Sequence, residues 1–454
     1  MATSGRRDLL QSATERASRY LETLDERPVA PDAAAVERLR QALDEPLPSQ
    51  PASDEKVLAF LDAFGSPATV ASAGGRYFGF VTGGALPVTV AANWLAGAWD
   101  QNSFNMVSSP AIALIEAAAL RWVKQALELP ECAEGTFVTG ATMANFTALA
   151  AARQRVLHEA GWDADAKGLF GAPEVAVIVG GEVHATIFKV LSLLGLGRDR
   201  VIAVPTDAQG RMRANVLPPI DGPTIVCIQA GNVNSGAFDP AAEIIETAHA
   251  AGAWVHVDGA FGLWARASGR LARLAAGLED ADSWATDAHK WLNVPYDCGV
   301  ALVRDPRDLR RAMSITGAYL LASEQRDQID YSPDSSRRAR AVEVWAALKA
   351  LGRTGLADLI ERNCRQAVRL AEGLRAGGVE ILNDVVLNQV VASFGDAERT
   401  ERIVAAVRDS GECWCGGTAW RGRPAMRISI SSWATTDADI ERAVAAILAA
   451  VRAN

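Results

Sequence analysis

The chain predicts an α/β fold with a mainly parallel sheet in its middle, a small α+β domain at its carboxyl end and a helical arm at its amino end. Three observations carry that expectation. Between residues 77 and 304, short β-branched runs alternate with alanine-rich helical periods. A long helical period starts near Arg337, with apolar residues at Val342, Val344, Trp345, Leu348 and Leu351. The first 75 residues carry helical patches interrupted by Pro28, Pro31, Pro46, Pro48 and Pro51.

The elements follow in order. Residues 1–75 read as an arm of the kind that wraps a partner subunit, and residues 76–330 as the large domain. Its strands are expected at residues 175–179, 201–204, 224–228, 254–257 and 300–303, all rich in valine and isoleucine. Residues 331–454 hold the linking helix, expected to run to Leu374, and a small domain. Strands at 385–394 and 426–430 and helices at 400–407 and 437–451 are expected there.

Composition narrows the function. The 454 residues are 49% hydrophobic and 22% charged, as in a globular enzyme, and the net charge of -9 argues against a nucleic-acid partner. The amino terminus lacks the apolar core of a secretory signal, and no window has the ~20 apolar residues of a membrane helix. Among the six cysteines only Cys413 and Cys415 are close, too close for ordinary zinc or disulfide spacing, so a reduced cytoplasmic protein is expected. No metal site is expected.

The chemistry concentrates in Thr286-Asp287-Ala288-His289-Lys290-Trp291, where one lysine follows a histidine at the end of an apolar run. A Schiff-base lysine needs such a desolvated place. Asp258 closes the buried-strand pattern Trp254-Val255-His256-Val257 and suits an acid facing the pyridine nitrogen of pyridoxal phosphate. Alternation puts His256 on the same face, where a satisfied core histidine is preferred over a partner of Asp258. The run Thr139-Gly140-Ala141-Thr142-Met143-Ala144-Asn145 offers small and hydroxyl residues ahead of a helix, as a phosphate site requires. His184, after the strand ending near Val179, suits stacking on a cofactor ring.

The order of these motifs, with His256-Val257-Asp258-Gly259-Ala260 between His184 and Lys290, resembles the group II pyridoxal-phosphate-dependent decarboxylases. That family includes the aromatic-L-amino-acid, glutamate and diaminobutyrate decarboxylases, and the resemblance runs from about Tyr77 to the carboxyl end. It implies the fold-type I architecture of aspartate aminotransferase, a homodimer with active sites at the subunit interface, and pyridoxal 5′-phosphate as cofactor. Lys290 would hold the cofactor aldehyde and Asp258 its pyridine nitrogen. Ala141, Thr142 and His289 would hold the phosphate, while His184 and Ala260 would flank the ring. Tyr77, Phe80 and Thr82 fall in the family's amino-terminal substrate stretch, and Phe104 falls where an aromatic enters the neighbouring subunit's pocket. Tyr319, in Thr316-Gly317-Ala318-Tyr319-Leu320, resembles the loop tyrosine that reprotonates the α-carbon after carbon dioxide leaves.

The chain departs from the family pattern at three places. Gly231-Asn232-Val233-Asn234-Ser235-Gly236 stands where relatives have a threonine-rich cofactor contact, which leaves Asn234 as the substitute. Asp287 replaces the asparagine of the aromatic decarboxylases, and Gly75-Arg76 replaces a histidine-proline pair. An aminotransferase using Arg427 as a carboxylate clamp, a carbon–carbon lyase and a non-catalytic cofactor-binding protein are the rival readings. An arginine clamp would stabilise the α-carboxylate and oppose its loss, and decarboxylation is preferred on the motif around Lys290 and the presence of Tyr319. Trp94, Trp99, Phe104 and Tyr77 hint at an aromatic or apolar substrate side chain.

Overall fold

The computed structural model describes residues 3–314 and 326–454, so Tyr319 lies outside the described residues. The described chain forms two compact units, one of residues 83–368 with 382–390, the other of residues 1–82, 369–381 and 391–454.

The larger unit is built on seven strands: β1 Glu134–Val138, β2 Ala176–Gly180, β3 Ile202–Val204, β4 Thr224–Gln229, β5 Trp254–Asp258, β6 Ser283–Asp287 and β7 Gly299–Val303. Their order is β1-β7-β6-β5-β4-β2-β3. The pairs from β3 through β6 are parallel, while β7 runs antiparallel to β6 and β1. This is the expected fold-type I α/β arrangement. Every residue of β4 through β7 is buried, which is why these strands read as apolar runs rather than alternating ones. Register aligns Gln229 with Asp258 and Asp258 with Ala285, so the parallel strands release their carboxyl ends at one edge. Ligands in open α/β sheets bind at such an edge.

Three tryptophans anchor the core of this unit. Trp264, Trp284 and Trp291 are fully buried, and their indole N–H groups donate to the Asp287 carbonyl, the Leu278 carbonyl and the Asn363 side chain. Trp94 and Trp99 are instead partly exposed, on the helix Pro87–Trp99.

The second unit has a four-stranded sheet of order β10-β11-β9-β8, with β8 Glu380–Ile381, β9 Gln389–Ser393, β10 Gly416–Trp420 and β11 Arg423–Ser429. Helices Ala397–Asp409 and Asp437–Ala453 belong with it, the latter opened by a Thr436/Asp439 capping box. The strand expected at 385–394 begins only at Gln389, because the Asn383 amide donates to the Gln389 and Asp384 carbonyls and closes a turn there. The helix expected from Arg337 spans Ala341–Ala376 and is broken at Gly352, whose φ of 59° suits glycine.

Arg76 ties this second unit together. It is buried, and its guanidinium donates to the carbonyls of Gly411, Glu412, Asp25 and Arg27. Arg76→Ala strips four carbonyls of a charged donor, and we expect a loss on the order of 3 kcal/mol, read as a lower midpoint in denaturant unfolding.

Candidate active site

Asp287, the last residue of β6 and 2% exposed, organises the Lys290 region. Its Oδ1 accepts the Ala141 N–H at 2.6 Å, in the first turn of the helix Ala141–Glu159, and its Oδ2 lies 2.9 Å from the Lys290 ammonium. Burial disfavours charge on Lys290, yet the Asp287 carboxylate and its hydrogen bond outweigh this and hold the amine above its ordinary pKa. His289 is shaped by the strand that follows. Its Nδ1 accepts the Cys298 N–H at 3.2 Å, so the neutral ring carries its proton on Nε2, and its ring stacks on Tyr296 at 4.3 Å. Burial lowers the His289 pKa and favours that neutral form. Nε2 lies 3.7 Å from Asp287 Oδ2, too far for a hydrogen bond.

Glycines let the backbone close around this cluster. A methyl at Gly140 would meet the His289 ring at 3.2 Å, a methyl at Gly299 would strike the Gly140 backbone, and one at Gly83 would collide with the Lys290 carbonyl.

Asp258 ends the neighbouring strand β5, 5% exposed. Its Oδ2 accepts the Asn145 side-chain N–H at 3.2 Å and its Oδ1 the Ala260 N–H at 3.2 Å. Behind it, Asn145 Oδ1 lies 2.8 Å from His256 Nε2, His256 Nδ1 lies 2.8 Å from Ser283 Oγ, and the Trp254 indole donates to Ser283 Oγ at 2.9 Å. The Ala260 carbonyl accepts the Asp287 N–H at 2.9 Å, linking the two carboxylates through backbone.

The structure thus links Ala141, Asp258, Ala260 and Lys290 by polar contacts that run through Asp287, with Thr142 next to Ala141 and His289 next to Lys290 in sequence. His184 caps the helix Ala185–Leu193: its Nδ1 accepts the Thr186 N–H at 3.3 Å and lies 2.8 Å from the Thr186 hydroxyl. The neighbouring Glu182 carbonyl accepts from Gln229, aligned with Asp258, and from Asn232, whose Oδ1 accepts the Asn234 N–H. Phe104 lies on a separate segment whose carbonyl accepts the Ile329 N–H at 3.0 Å.

Tyr77, Phe80 and Thr82 belong to the second unit. Tyr77 stacks on Trp414 at 4.9 Å, and Phe80 lies 5.3 Å from the same ring. The Arg408 guanidinium sits over Trp414 at 4.4 Å. Phe80 and Val81 hold left-handed φ angles of 52° and 59°, which costs energy in bulky or branched residues and leaves Phe80 62% exposed. Thr82 is buried, and its carbonyl accepts the Ser431 hydroxyl.

Sequence reasoning gave no role to Asn145, Ser283, Cys298, Tyr296 or Trp414. The pairing of His256 with Ser283 follows from the β5–β6 register, and Asn145 reaches both His256 and Asp258 from the helix that covers the sheet. Only the alternation of His256 and Asp258 signalled this in the sequence.

The donor set fits pyridoxal phosphate. An amine stands near the carboxyl ends of the central strands, a buried carboxylate ends β5, and the unspent His289 N–H lies beside a helix amino terminus that glycine opens. Among the described residues no group of three or more histidine, cysteine or carboxylate side chains is arranged to hold a metal, and no helix is long and apolar enough to cross a membrane.

The profile of the pyridoxal-dependent decarboxylase conserved domain matches residues 37–394. The chain is 32% identical over 388 residues to the L-2,4-diaminobutyrate decarboxylase of Rhizobium meliloti (strain 1021), covering 80% of this chain and 75% of that one. It is 28% identical over 353 residues to the aromatic-L-amino-acid decarboxylase of Bacillus atrophaeus, covering 74% and 70%. In fold it is similar to the crystal structure of Oryza sativa TDC with PLP and tryptamine, at a TM-score of 0.90 and 23% identity over 100% of this chain and 99% of that one. The chain therefore belongs to the group II pyridoxal-phosphate-dependent amino acid decarboxylases, carboxy-lyases that work with pyridoxal 5′-phosphate.

Proposed function

We propose that the protein decarboxylates an L-amino acid with an aromatic or apolar side chain, with Lys290 as the residue that bonds the cofactor. The observation that carries the Lys290 assignment is its amine, 2.9 Å from Asp287 and one residue from the unspent His289 N–H. Bound there, pyridoxal phosphate supplies a protonated ring that accepts the electron pair left when the α-carboxylate departs.

The protein's own residues do the rest. Asp258 would hold the pyridine nitrogen and keep it protonated. Thr142 and His289 would donate to the phosphate at the opening of the Ala141 helix, where the N–H of Ala141 itself is held by Asp287. His184 and Ala260 would flank the ring, and Asn234 would contribute a polar contact to it. Tyr319 returns a proton to the α-carbon, and Phe104 enters the pocket of a second subunit.

Lys290 must lose its proton before it bonds an aldehyde, and Asp287 opposes that loss. Because its pKa is raised, the neutral amine is scarce at neutral pH and grows about tenfold for each unit of pH. Asp287→Asn keeps an acceptor for the Ala141 N–H but removes the charge. We expect it to load cofactor about tenfold faster at neutral pH, with its pH–rate curve displaced to lower pH, as followed by stopped-flow absorbance. An unchanged curve would contradict the role given to Asp287.

The substrate class rests on the aromatic residues Tyr77, Phe80 and Phe104, which fall in the stretches that the family resemblance assigns to the substrate. The named relatives act on different side chains, so membership of the family leaves this open. Comparison of kcat/KM across aromatic, aliphatic, acidic and basic L-amino acids tests it. Highest values for aromatic or large aliphatic substrates are expected; a preference for acidic or basic ones would reject the substrate class.

The active unit is a homodimer in this reading. Val88, Leu95 and Trp99 are exposed on the helix Pro87–Trp99 and fall within about 40° of one another around its axis, with Val107 and Leu114 exposed nearby in sequence. Leu95→Glu is expected to convert the dimer to monomer in analytical ultracentrifugation. Six free cysteines, five of them buried, support a reducing, cytoplasmic setting.

A further inference from the structure

We propose that Asn145, His256 and Ser283 are positioning residues that aim Asp258 at the cofactor's pyridine nitrogen through a hydrogen-bond chain of one fixed direction. The inference rests on the role given to Asp258 above.

Each link fixes the next. A carboxylate only accepts, so the Asn145 group 3.2 Å from Asp258 Oδ2 is the amide nitrogen. The other end of that amide is then its oxygen, and His256 Nε2, 2.8 Å away, must carry a proton and donate to it. His256 is completely buried, and desolvation pushes its pKa down to about 3, so it holds one proton only. Nδ1 is therefore a bare acceptor, and the Ser283 hydroxyl, 2.8 Å away, donates to it. The Trp254 indole N–H, which can only donate, fills the remaining side of Ser283 Oγ at 2.9 Å.

The chain thus begins at a group that only donates and ends at one that only accepts, so no member can flip without stranding a buried polar atom. Since Ala260 N–H occupies Asp258 Oδ1 as well, the carboxylate is held from two sides against rotation. His256 conveys no proton here. It acts as a neutral spacer, and a glutamine able to accept at one end and donate at the other would serve.

The test compares binding of pyridoxal 5′-phosphate with that of its 1-deaza analogue, which lacks the pyridine nitrogen. Wild-type protein is expected to bind the natural cofactor at least tenfold more tightly than the analogue. Asn145→Leu should bring the two affinities within about twofold of each other, whereas His256→Gln should keep the preference. A role confined to packing would weaken both ligands equally and preserve the preference in Asn145→Leu, which would overturn the proposal, as would loss of the preference in His256→Gln. Absence of any preference in the wild type would instead reject the assignment of Asp258 itself. Nitrogen NMR of the wild-type protein supplies a readout independent of the variants' folding: a protonated Nε2 with bare Nδ1 is expected, and the opposite tautomer or an imidazolium at neutral pH would overturn the chain's direction.

Discussion

Lys290→Ala is expected to abolish covalent attachment of pyridoxal phosphate, with its absorbance band, and to reduce turnover by on the order of 10⁴-fold. The size follows from what is lost: an amine held in place for a reaction that free amines perform poorly. The substitution also strips Asp287, 2% exposed, of the ammonium at 2.9 Å. A buried carboxylate without its cation destabilises the fold, so falling activity alone would be ambiguous. Lys290→Arg separates the two effects. Its guanidinium keeps a positive charge beside Asp287 but does not attack an aldehyde at neutral pH. We expect near-wild-type unfolding with no covalent absorbance and no turnover. Covalent absorbance and turnover in both variants would remove Lys290 from the site.

Asp258→Ala is expected to lower turnover by at least ~100-fold while leaving attachment to Lys290 detectable. Asp258 touches no reacting bond in this account. Its effect is electrostatic, because the ring accepts an electron pair well only while its nitrogen is protonated, and one preorganised charge is worth roughly two to three decades. The loss also strands the Asn145 amide and the Ala260 N–H, both of which donate to Asp258, so some cofactor affinity goes with it. A spectrum showing attached cofactor beside a turnover number within threefold of wild type would contradict the role.

The sheet was legible because it is buried on both faces. Runs such as Thr224-Ile225-Val226-Cys227-Ile228 stand out against alanine-rich helices, and the observed strands lie within one or two residues of them. β1 and β10 are among the strands not expected, since Glu-Gly-Thr-Phe-Val and Gly-Gly-Thr-Ala-Trp carry little β-branched signal and form through pairing with β7 and β11. Strand order depends on crossovers, which leave no local mark.

In the site, residues at strand ends or helix starts, such as Asp258, His289 and Lys290, could be named because those positions carry a pattern. Partners that meet only through tertiary packing could not. Asn145 sits one helical turn beyond the Ala141 opening and reads as an ordinary polar residue, yet it joins His256 to Asp258. Trp414 lies more than 330 positions from Tyr77, and an isolated backbone bridge between the two residues brings their rings together. Asp287 stood out as a departure from the family pattern, but its bond to the Ala141 N–H needed β6 and the helix placed side by side.

The protein removes the α-carboxylate of an amino acid rather than exchanging its amino group. The direct measurement incubates purified protein and pyridoxal 5′-phosphate with L-amino acids labelled at the carboxyl carbon, and counts carbon dioxide, amine and keto acid together. One labelled carbon dioxide per amine, with no keto acid, is the predicted result. Keto acid formed without carbon dioxide would contradict it.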